Sequence, residues 1–266
     1  MCRIKAEQIY FELPTGLPKE EKNAAAAYKI FIEESRAAVE NHKISPAERQ
    51  QKLETLSKTG IKEIFLKENL SLSLIEDRLK ALKKETEIKS FDVWAEFLEH
   101  SRRKASGTGR LIVALGNESP SAILPAENLY VVRQILDEVA HLKSNMSLFG
   151  KCLIPQDLLE AYGVRTTDFG LSLTTPQTAA LIREILNRLE GIMKDVEVLP
   201  ALIQNRRLRF GVSVILSLTN SMIKKYKKAD VLQKKVDISA ADKVKARLFA
   251  FGKWCYAGLP RKGTVL

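Results

Sequence analysis

The residues most able to do chemistry in this sequence are acids and a histidine placed at helical spacing. Asp137 and His141 are four residues apart, so a helix would present both on one face, where they could share a metal ion, with Glu138 beside them. Glu33 and Glu40 belong to a second acidic group nearer the start of the chain. Carboxylate oxygens are the ligands that Mg²⁺ prefers. Asp137 and His141 are therefore candidates to share a metal ion, and the acids of the first group are further candidate ligands.

Other catalytic signatures are missing from the sequence. It contains no glycine-rich dinucleotide fingerprint, no P-loop, no His-Glu-x-x-His zinc motif and no Gly-x-Ser-x-Gly nucleophile elbow. The three cysteines are scattered without metal-ligand spacing, so we interpret them as reduced thiols. The histidines are also far apart in sequence, at His42, His100 and His141. Any catalytic group must therefore be assembled from distant segments.

The elements that would position these groups are helices. Apolar residues recur at helical spacing along the chain, and strand-like alternation does not occur. Phe91, Trp94 and Phe97 are spaced by three and predict one buried stripe. Helices are predicted over 19–42, from a capping box at 45–48, from a second capping box at 73–76, over 127–142, from 175, over 203–228 and over 239–257. Loops are predicted at 13–18, 116–126 and 163–175, and the whole chain, 1–266, is predicted to be one all-α domain.

The net charge of +11 at pH 7 indicates either a solvated cationic surface or a site for an anionic partner. Phosphate groups and an acidic lipid surface are the partners we consider. Nucleic acid is not expected, because stacking aromatics make up only 7% of the residues. The N-terminal residues lack the apolar run of a signal peptide, and the most apolar window, 210–218, is far shorter than the roughly 20 residues that span a bilayer. We expect a cytoplasmic protein, and the inner face of the membrane is an alternative location.

Three segments resemble the squalene/phytoene synthase family. Residues 94–115 keep the family's spacing of an arginine, small residues and a final Gly-Arg at Arg102, Ala105, Gly109 and Arg110. Residues 134–164 resemble the second acidic helix and the basic-aromatic-Leu-Pro turn that follows it. Residues 186–224 resemble the C-terminal helices of one branch, the hydroxysqualene synthases of bacterial hopanoid biosynthesis. The resemblance covers roughly residues 20–255.

The resemblance implies a helical bundle of the isoprenoid synthase type around a central apolar cavity for isoprenoid chains. Two aspartate-rich helices face each other at the mouth of that cavity in this family. Their carboxylates hold Mg²⁺ ions, which bind a prenyl diphosphate and favour its ionisation, since the departing diphosphate needs its charge neutralised.

This sequence departs from the first aspartate-rich motif. The family has Phe, Arg two residues on, then Asp-Asp-x-x-Asp, and Ser-Pro after a short turn. When Phe31 and Ser45-Pro46 are aligned with this pattern without gaps, the positions of the arginine and the three aspartates are taken by Glu33, Arg36, Ala37 and Glu40. A cation at a metal-ligand position disfavours Mg²⁺ electrostatically.

The second motif is altered as well. The family has Gln-x-x-Asn-x-x-Gln-Asp-x-x-x-Asp, with a basic residue six positions further on. Here Gln134 is kept and Lys151 follows in register. Asp137 replaces the asparagine, and His141 and Asn145 replace the two aspartates. Of the five acids that bind metal in the family, only Glu40 is still a carboxylate here.

Three functions are compatible with this pattern. The one we favour is a non-catalytic family member that binds an isoprenoid or a protein partner of isoprenoid metabolism and needs no metal. The second is an active enzyme that converts a C30 prenyl diphosphate, such as presqualene diphosphate, into hydroxysqualene or squalene. It would use a rebuilt Mg²⁺ site at Glu40, Asp137 and His141, or would grip the diphosphate directly with Lys29, Arg36 and Lys151. The third is an unrelated basic helical protein at a membrane surface or on nucleic acid.

Overall fold

A computed structural model describes residues 13–18, 22–58, 60–171, 173–234 and 236–256, and these residues form helices and no β-strand. The first half of the described chain contains α1 (Lys22–Val39), α2 (Pro46–Ser57), α3 (Ile61–Lys67), α4 (Ser73–Glu87) and α5 (Trp94–Leu115). The second half contains α6 (Ile123–Phe149), α7 (Gln156–Ala161), α8 (Pro176–Val196), α9 (Leu199–Leu202), α10 (Arg206–Lys228) and α11 (Ala240–Tyr256). The predicted all-α class is confirmed.

Two apolar cores hold the helices together. The larger core joins α5, α6, α8 and α10, and the smaller core joins α1, α2, α3 and α4 with the last turns of α5. Fully buried members of the larger core include Phe97, Leu129, Ile135, Leu186 and Leu208. Those of the smaller core include Leu53, Phe65 and Ile75, with Tyr28 almost fully buried beside them. Residues of α1, α4, α5 and α6 line one cavity, and the charged residues considered below converge there.

Local start signals explain several helix boundaries. Ser45 caps α2 through a complete capping box with Glu48, and Pro46 occupies the first helical position. Thr175 caps α8 with its side chain. The second predicted capping box is wrong: Leu72 precedes α4 without a side-chain cap, and the Ser73 hydroxyl instead pairs with the Ser71 hydroxyl at 2.8 Å.

Other boundaries differ from the prediction in informative ways. The predicted loop at 116–126 contains a short 3-10 helix (Pro120–Ala122), and α6 then begins at Ile123 and extends to Phe149. The extra length places Asn145 on this helix. Phe91 precedes α5 and Trp94 is only half-buried, so the predicted stripe is not one helix face. Residues 19–21 of the first predicted helix and residue 257 of the last lie outside the described residues.

Gly109 sets the distance between α5 and α6. A Cβ on Gly109 would lie 2.4 Å from the backbone carbonyl carbon of Ala126, which is far inside van der Waals contact. Next to it, Arg110 ties the same helix to Asp77 of α4 and Glu127 of α6, each at 3.1 Å. The lack of a side chain at Gly109 therefore allows the close approach of the helices that bear the site.

Gly109→Ala is expected to destabilise the protein by about 1–3 kcal/mol, because backbone cannot move aside as a flexible side chain can. Gly191→Ala is the matched control, since no atom lies within 4 Å of a Cβ at that exposed position of α8. It is expected to be neutral or to stabilise by up to about 1 kcal/mol. Urea unfolding of both variants measures the difference, and equal effects of the two substitutions would contradict it.

Candidate functional site

A cavity lined largely by charged side chains lies between α1, α4, α5 and α6, and we call it the charged cavity. The predicted residues that line it come from two helices: Glu33, Arg36 and Glu40 of α1, and Gln134, Asp137, His141 and Asn145 of α6. Lys151, just after α6, also lines it. The volume that the centres of water molecules can occupy is about 60 Å³, which corresponds to about four to six waters.

Two predicted residues lie outside the charged cavity. Lys29 is a half-exposed side chain that approaches Glu33 at 3.9 Å, and Ala37 is on the exposed side of α1. Neither lines the cavity. Successive residues of a helix point about 100° apart, so Arg36 and Ala37 cannot both face α6.

Arg36 joins the two helices whose motifs are altered. Its Nε lies 2.6 Å from Glu40 Oε1 on its own helix, and its terminal nitrogen lies 3.5 Å from Asp137 Oδ1 on α6. The Arg36 and Asp137 side chains are only 19% and 10% exposed, so solvent screens this pair less than a surface pair. The cation of α1 thus lies where its charge compensates carboxylates of both helices.

Asp137 has a second cationic partner in His141. The His141 Nδ1 lies 2.5 Å from Asp137 Oδ1, one helical turn away. Burial alone would raise the pKa of Asp137, but the hydrogen bond from His141 and the charge of Arg36 outweigh it and hold the pKa below its usual value. Burial would likewise lower the pKa of His141, but the hydrogen bond to Asp137 and the charge of that carboxylate raise it to about 8.

The protonated state of His141 is expected to stabilise the fold in a defined pH window. Its pKa rises from 6.5 to about 8 on folding, so its contribution is complete below pH 6.5 and is lost as the pH rises through about 8. A shift of this size corresponds to at most about 2 kcal/mol, and partial exposure of the ring reduces it to about 1 kcal/mol.

The measurement is the free energy of unfolding in urea at pH 6 and pH 9 for the wild type and His141→Gln. The advantage of the wild type over the variant is expected to shrink by about 1 kcal/mol between the two pH values. An NMR titration of the His141 ring gives the pKa independently. If the stability advantage of the wild type is the same at both pH values, or if the pKa of His141 is at or below 6.5, Asp137 does not stabilise the protonated ring.

A second group of charges, which was not among the predicted site residues, centres on Lys104 of α5. Its Nζ lies 2.8 Å from Glu85 of α4 and 2.8 Å from Glu138 of α6, and all three side chains are at most 10% exposed. His100 approaches Glu85 at 3.4 Å, and Gln134 donates a hydrogen bond to Glu138 at 2.9 Å. Burial alone would lower the pKa of Lys104, but the two carboxylates raise it above its usual value.

Three further cations complete the wall of the charged cavity. Arg78 is buried and donates hydrogen bonds to the Ser35 hydroxyl at 3.0 Å and the Lys104 carbonyl at 2.7 Å; burial lowers its pKa to about 10. Lys151 donates to the backbone carbonyl of Glu85, and burial lowers its pKa. Arg49 lies over the Phe149 ring, 5.4 Å from its centroid. The charge of Lys151, together with that of Lys104, helps to hold the pKa of the buried Glu85 carboxyl well below its usual value.

The carboxylates of the charged cavity do not fit a Mg²⁺ site. Mg²⁺ requires oxygen ligands in near-octahedral geometry. Among the residues that the structure describes, no three His, Cys, Asp or Glu side chains gather so that they could hold a metal ion. Asp137 and Glu40 face Arg36, and Glu85 and Glu138 face Lys104. Side-chain cations therefore neutralise the groups that a divalent ion would need.

The helical bundle and its charged cavity between four helices define a protein with the isoprenoid synthase fold. A dehydrosqualene synthase solved with a ligand superposes with a TM-score of 0.80 over 95% of this chain and 93% of its own, at 14% identity. A squalene synthase from Alicyclobacillus acidocaldarius superposes with a TM-score of 0.70 over 80% of this chain and 85% of its own, at 13% identity. At these identities the similarity shows the fold alone.

The squalene/phytoene synthase family profile matches residues 61–242, and the chain belongs to this family. Hydroxysqualene synthases from Sinorhizobium fredii and Rhodopseudomonas palustris are 24% and 23% identical over 163 and 162 residues. Each match covers 61% of this chain and 56% of the relative, so this chain spans little more than half the length of these relatives. The profile includes the second motif and begins after the first one at 33–40.

Proposed function

We propose that this chain is a non-catalytic squalene/phytoene-synthase-family protein of isoprenoid metabolism, related to the hydroxysqualene branch that acts in hopanoid biosynthesis. The family membership and the hydroxysqualene synthase relatives support the metabolic context. The altered motifs and the internal pairing of charges support the loss of catalysis. In this proposal the protein keeps the bundle of its family and uses it for binding.

The single observation behind this proposal is the Arg36 ion pair with Asp137. In the family pattern, Arg36 takes the place of an aspartate, and the two motifs are held together by metal and diphosphate. Here the guanidinium reaches the opposite helix directly, at 3.5 Å from Asp137 and 2.6 Å from Glu40. A second positive charge at this position would be repelled by Arg36. The chain has its own cation where the enzymes need an external one.

The ligand and partners that we propose follow from the family. An isoprenoid or prenyl diphosphate is the ligand class, and a protein of isoprenoid metabolism is the partner class. Peripheral contact with an acidic membrane surface agrees with the net charge of +11. Within the described residues, no helix is long and apolar enough to cross a membrane. Membership of the family argues against an unrelated basic protein that binds a membrane surface or nucleic acid.

The test is a diphosphate-release assay with farnesyl diphosphate and with presqualene diphosphate, each in the presence of Mg²⁺. The purified chain is expected to release no diphosphate above background. An active hydroxysqualene synthase assayed in parallel shows that the substrates and metal are competent. Release of diphosphate by this chain, abolished by Asp137→Ala or His141→Ala, would overturn the proposal and establish a rebuilt metal site.

The second candidate is an active synthase that converts presqualene diphosphate to hydroxysqualene or squalene without a metal. The observation that favours it is the number of cations that line the charged cavity, which include Arg36, Arg49 and Lys151. Arginine and lysine bind phosphate oxygens through charge-assisted hydrogen bonds. To bind diphosphate, Arg36 would have to exchange its carboxylate partners for the ligand. Turnover that persists without Mg²⁺ and disappears in Arg36→Ala would favour this candidate over the first.

A further inference from the structure

The last described helix, α11, packs on α10 with its smallest side chains. Ala246 and Ala250 are four residues apart and almost fully buried, and the two helices lie side by side. Asp242 at the start of α11 forms an ion pair with Lys225 of α10. The small side chains on the face of α11 that contacts α10 allow the two helices to pack closely. The large apolar residues of α11 therefore lie on its other faces.

The opposite face of α11 presents a stripe of exposed apolar side chains. Val244, Leu248 and Phe251 are spaced by four and three residues, which places them on one helix face, and they are 53%, 67% and 55% exposed. Phe249 and Trp254 are also exposed, and the Trp254 ring stacks on Phe251 at 5.7 Å. Single exposed apolar residues are ordinary, but a contiguous row on one helix indicates an interaction surface.

Cationic residues flank this stripe. Lys243, Lys245 and Arg247 are all exposed, and they alternate with the apolar residues along the helix. A shallow apolar recess lies beside the stripe, lined by Phe210, Phe251 and Trp254, with Arg207 at its side. The volume of this recess that the centres of water-sized atoms can occupy is about 370 Å³. Apolar residues, an aromatic residue with a polar edge and cations on one surface match the chemistry of a lipid interface.

We propose that α11 lies along an acidic lipid surface, with Val244, Leu248 and Phe251 inserted at the level of the headgroups and the flanking cations on the lipid phosphates. Charge selects this partner over a second copy of the chain, because a symmetric self-contact would bring two sets of cations together. This inference locates the membrane association proposed above on one helix. It does not depend on whether the chain is catalytic.

The experiment begins with flotation of the whole chain with vesicles of phosphatidylcholine alone and of phosphatidylcholine mixed with phosphatidylglycerol. Binding is expected for the acidic vesicles at low salt and is expected to weaken as salt rises. Trp254 serves as a local reporter: the sequence has two tryptophans, and Trp94→Phe removes the other one. Its fluorescence is expected to shift to the blue when acidic vesicles bind.

Two pairs of variants assign the surface. Leu248→Gln with Phe251→Gln is expected to weaken vesicle binding by at least about tenfold. Its control is Leu66→Gln with Leu124→Gln, two exposed apolar residues on other helices. Lys245→Gln with Arg247→Gln is expected to weaken binding by about 30-fold, because each cation contributes about 1 kcal/mol, or about fivefold in affinity. Its control is Lys52→Gln with Lys67→Gln, which removes two exposed cations elsewhere. Both controls are expected to bind as the wild type does.

The outcomes separate the general proposal from the assignment to α11. If the wild type binds no acidic vesicles, membrane association itself is wrong. If it binds and the α11 variants bind as well as their controls, another surface is responsible and this inference is wrong. If Leu248→Gln with Phe251→Gln converts a dimer to a monomer in light scattering, the stripe is covered by a second copy instead. Circular dichroism of every variant establishes that its helix content is unchanged.

Discussion

A variant with Arg36, His141 and Asn145 all replaced by aspartate is expected to bind Mg²⁺, whereas the wild-type chain is not. Together with Glu40 and Asp137, the substitutions place five carboxylates on the cavity-facing sides of α1 and α6, because all five positions line the charged cavity. The Arg36 cation, which lies between the two helices, is removed at the same time. Hard oxygen ligands on two fixed helices are what Mg²⁺ requires.

The physical consequence is a metal-dependent stability. Without metal, the variant is expected to be less stable than the wild type, because carboxylates gathered at a partly buried site repel one another. Mg²⁺ that binds only the folded state reverses this loss. At a concentration 100 times the dissociation constant, the gain is about 2.7 kcal/mol, or a rise in Tm of about 5–10 °C for a chain of this size.

Thermal unfolding with and without Mg²⁺ measures this effect, and titration calorimetry gives the affinity. The first control is the double variant Arg36→Asn with His141→Asn. Asparagine has the shape of aspartate but lacks its negative charge. A second control is Ala37→Asp, which adds a carboxylate at an exposed position outside the cavity. Neither control is expected to gain a Mg²⁺-dependent rise in Tm. A wild-type chain whose Tm rises with Mg²⁺ as much as that of the variant would contradict our interpretation of Arg36.

Helix positions were predictable because their signals are local. Ser45-Pro46 and Thr175-Pro176 start helices as expected, since a hydroxyl cap and a preset proline φ act within one turn. The same logic was wrong at Ser73, although Glu76 follows at the right spacing. The helix there begins one residue earlier than a cap at Ser73 would require, so Ser73 has no free first-turn N–H to accept from. A capping pattern indicates a nearby start and does not fix its residue.

The charged cavity was only partly predictable. The resemblance to the family indicated that residues 33–40 and 134–145 meet, and the structure brings Arg36 to Asp137 across 101 positions of sequence. Lys104 and Glu85 were not among the predicted residues of the site. A signal was present: Lys104 falls at the buried spacing of α5, between Ser101 and Thr108. A charged residue on an otherwise buried stripe needs a partner, but periodicity cannot say which element supplies it.

Replacement of Lys104 by methionine is expected to cause the largest loss of stability among single changes in the charged cavity, about 3–5 kcal/mol. Methionine preserves the length of the side chain but removes the charge shared by Glu85 and Glu138. Those carboxylates are at most 10% exposed, so water compensates poorly for the lost ammonium group. Burial alone would raise the pKa of Glu85; in the wild type, the charge of Lys104 instead helps to hold it well below its usual value.

The loss should depend on pH and on the carboxylates. With Lys104 absent, a charge that lowers the pKa of Glu85 is lost while burial still raises that pKa, so ionised Glu85 is less well stabilised in the folded state and stability falls as the pH rises. The deficit of Lys104→Met is therefore expected to be larger at pH 8 than at pH 5. Adding Glu85→Gln and Glu138→Gln to the variant is expected to recover most of the stability, because neutral amides need no cation.

A surface ion pair provides the comparison for this variant. Lys83 lies 3.0 Å from Glu54, with side chains 38% and 58% exposed, so Lys83→Met is expected to cost at most about 1 kcal/mol. Urea unfolding of the two methionine variants and the triple variant measures the contrast. If Lys104→Met costs no more than Lys83→Met, the buried carboxylates do not depend on this lysine. A large, carboxylate-dependent loss would instead mean that the charged cavity is neutralised by the chain's own side chains. If the chain's own cations neutralise the cavity in this way, the buried carboxylates of Glu85 and Glu138 need no metal ion to balance their charge.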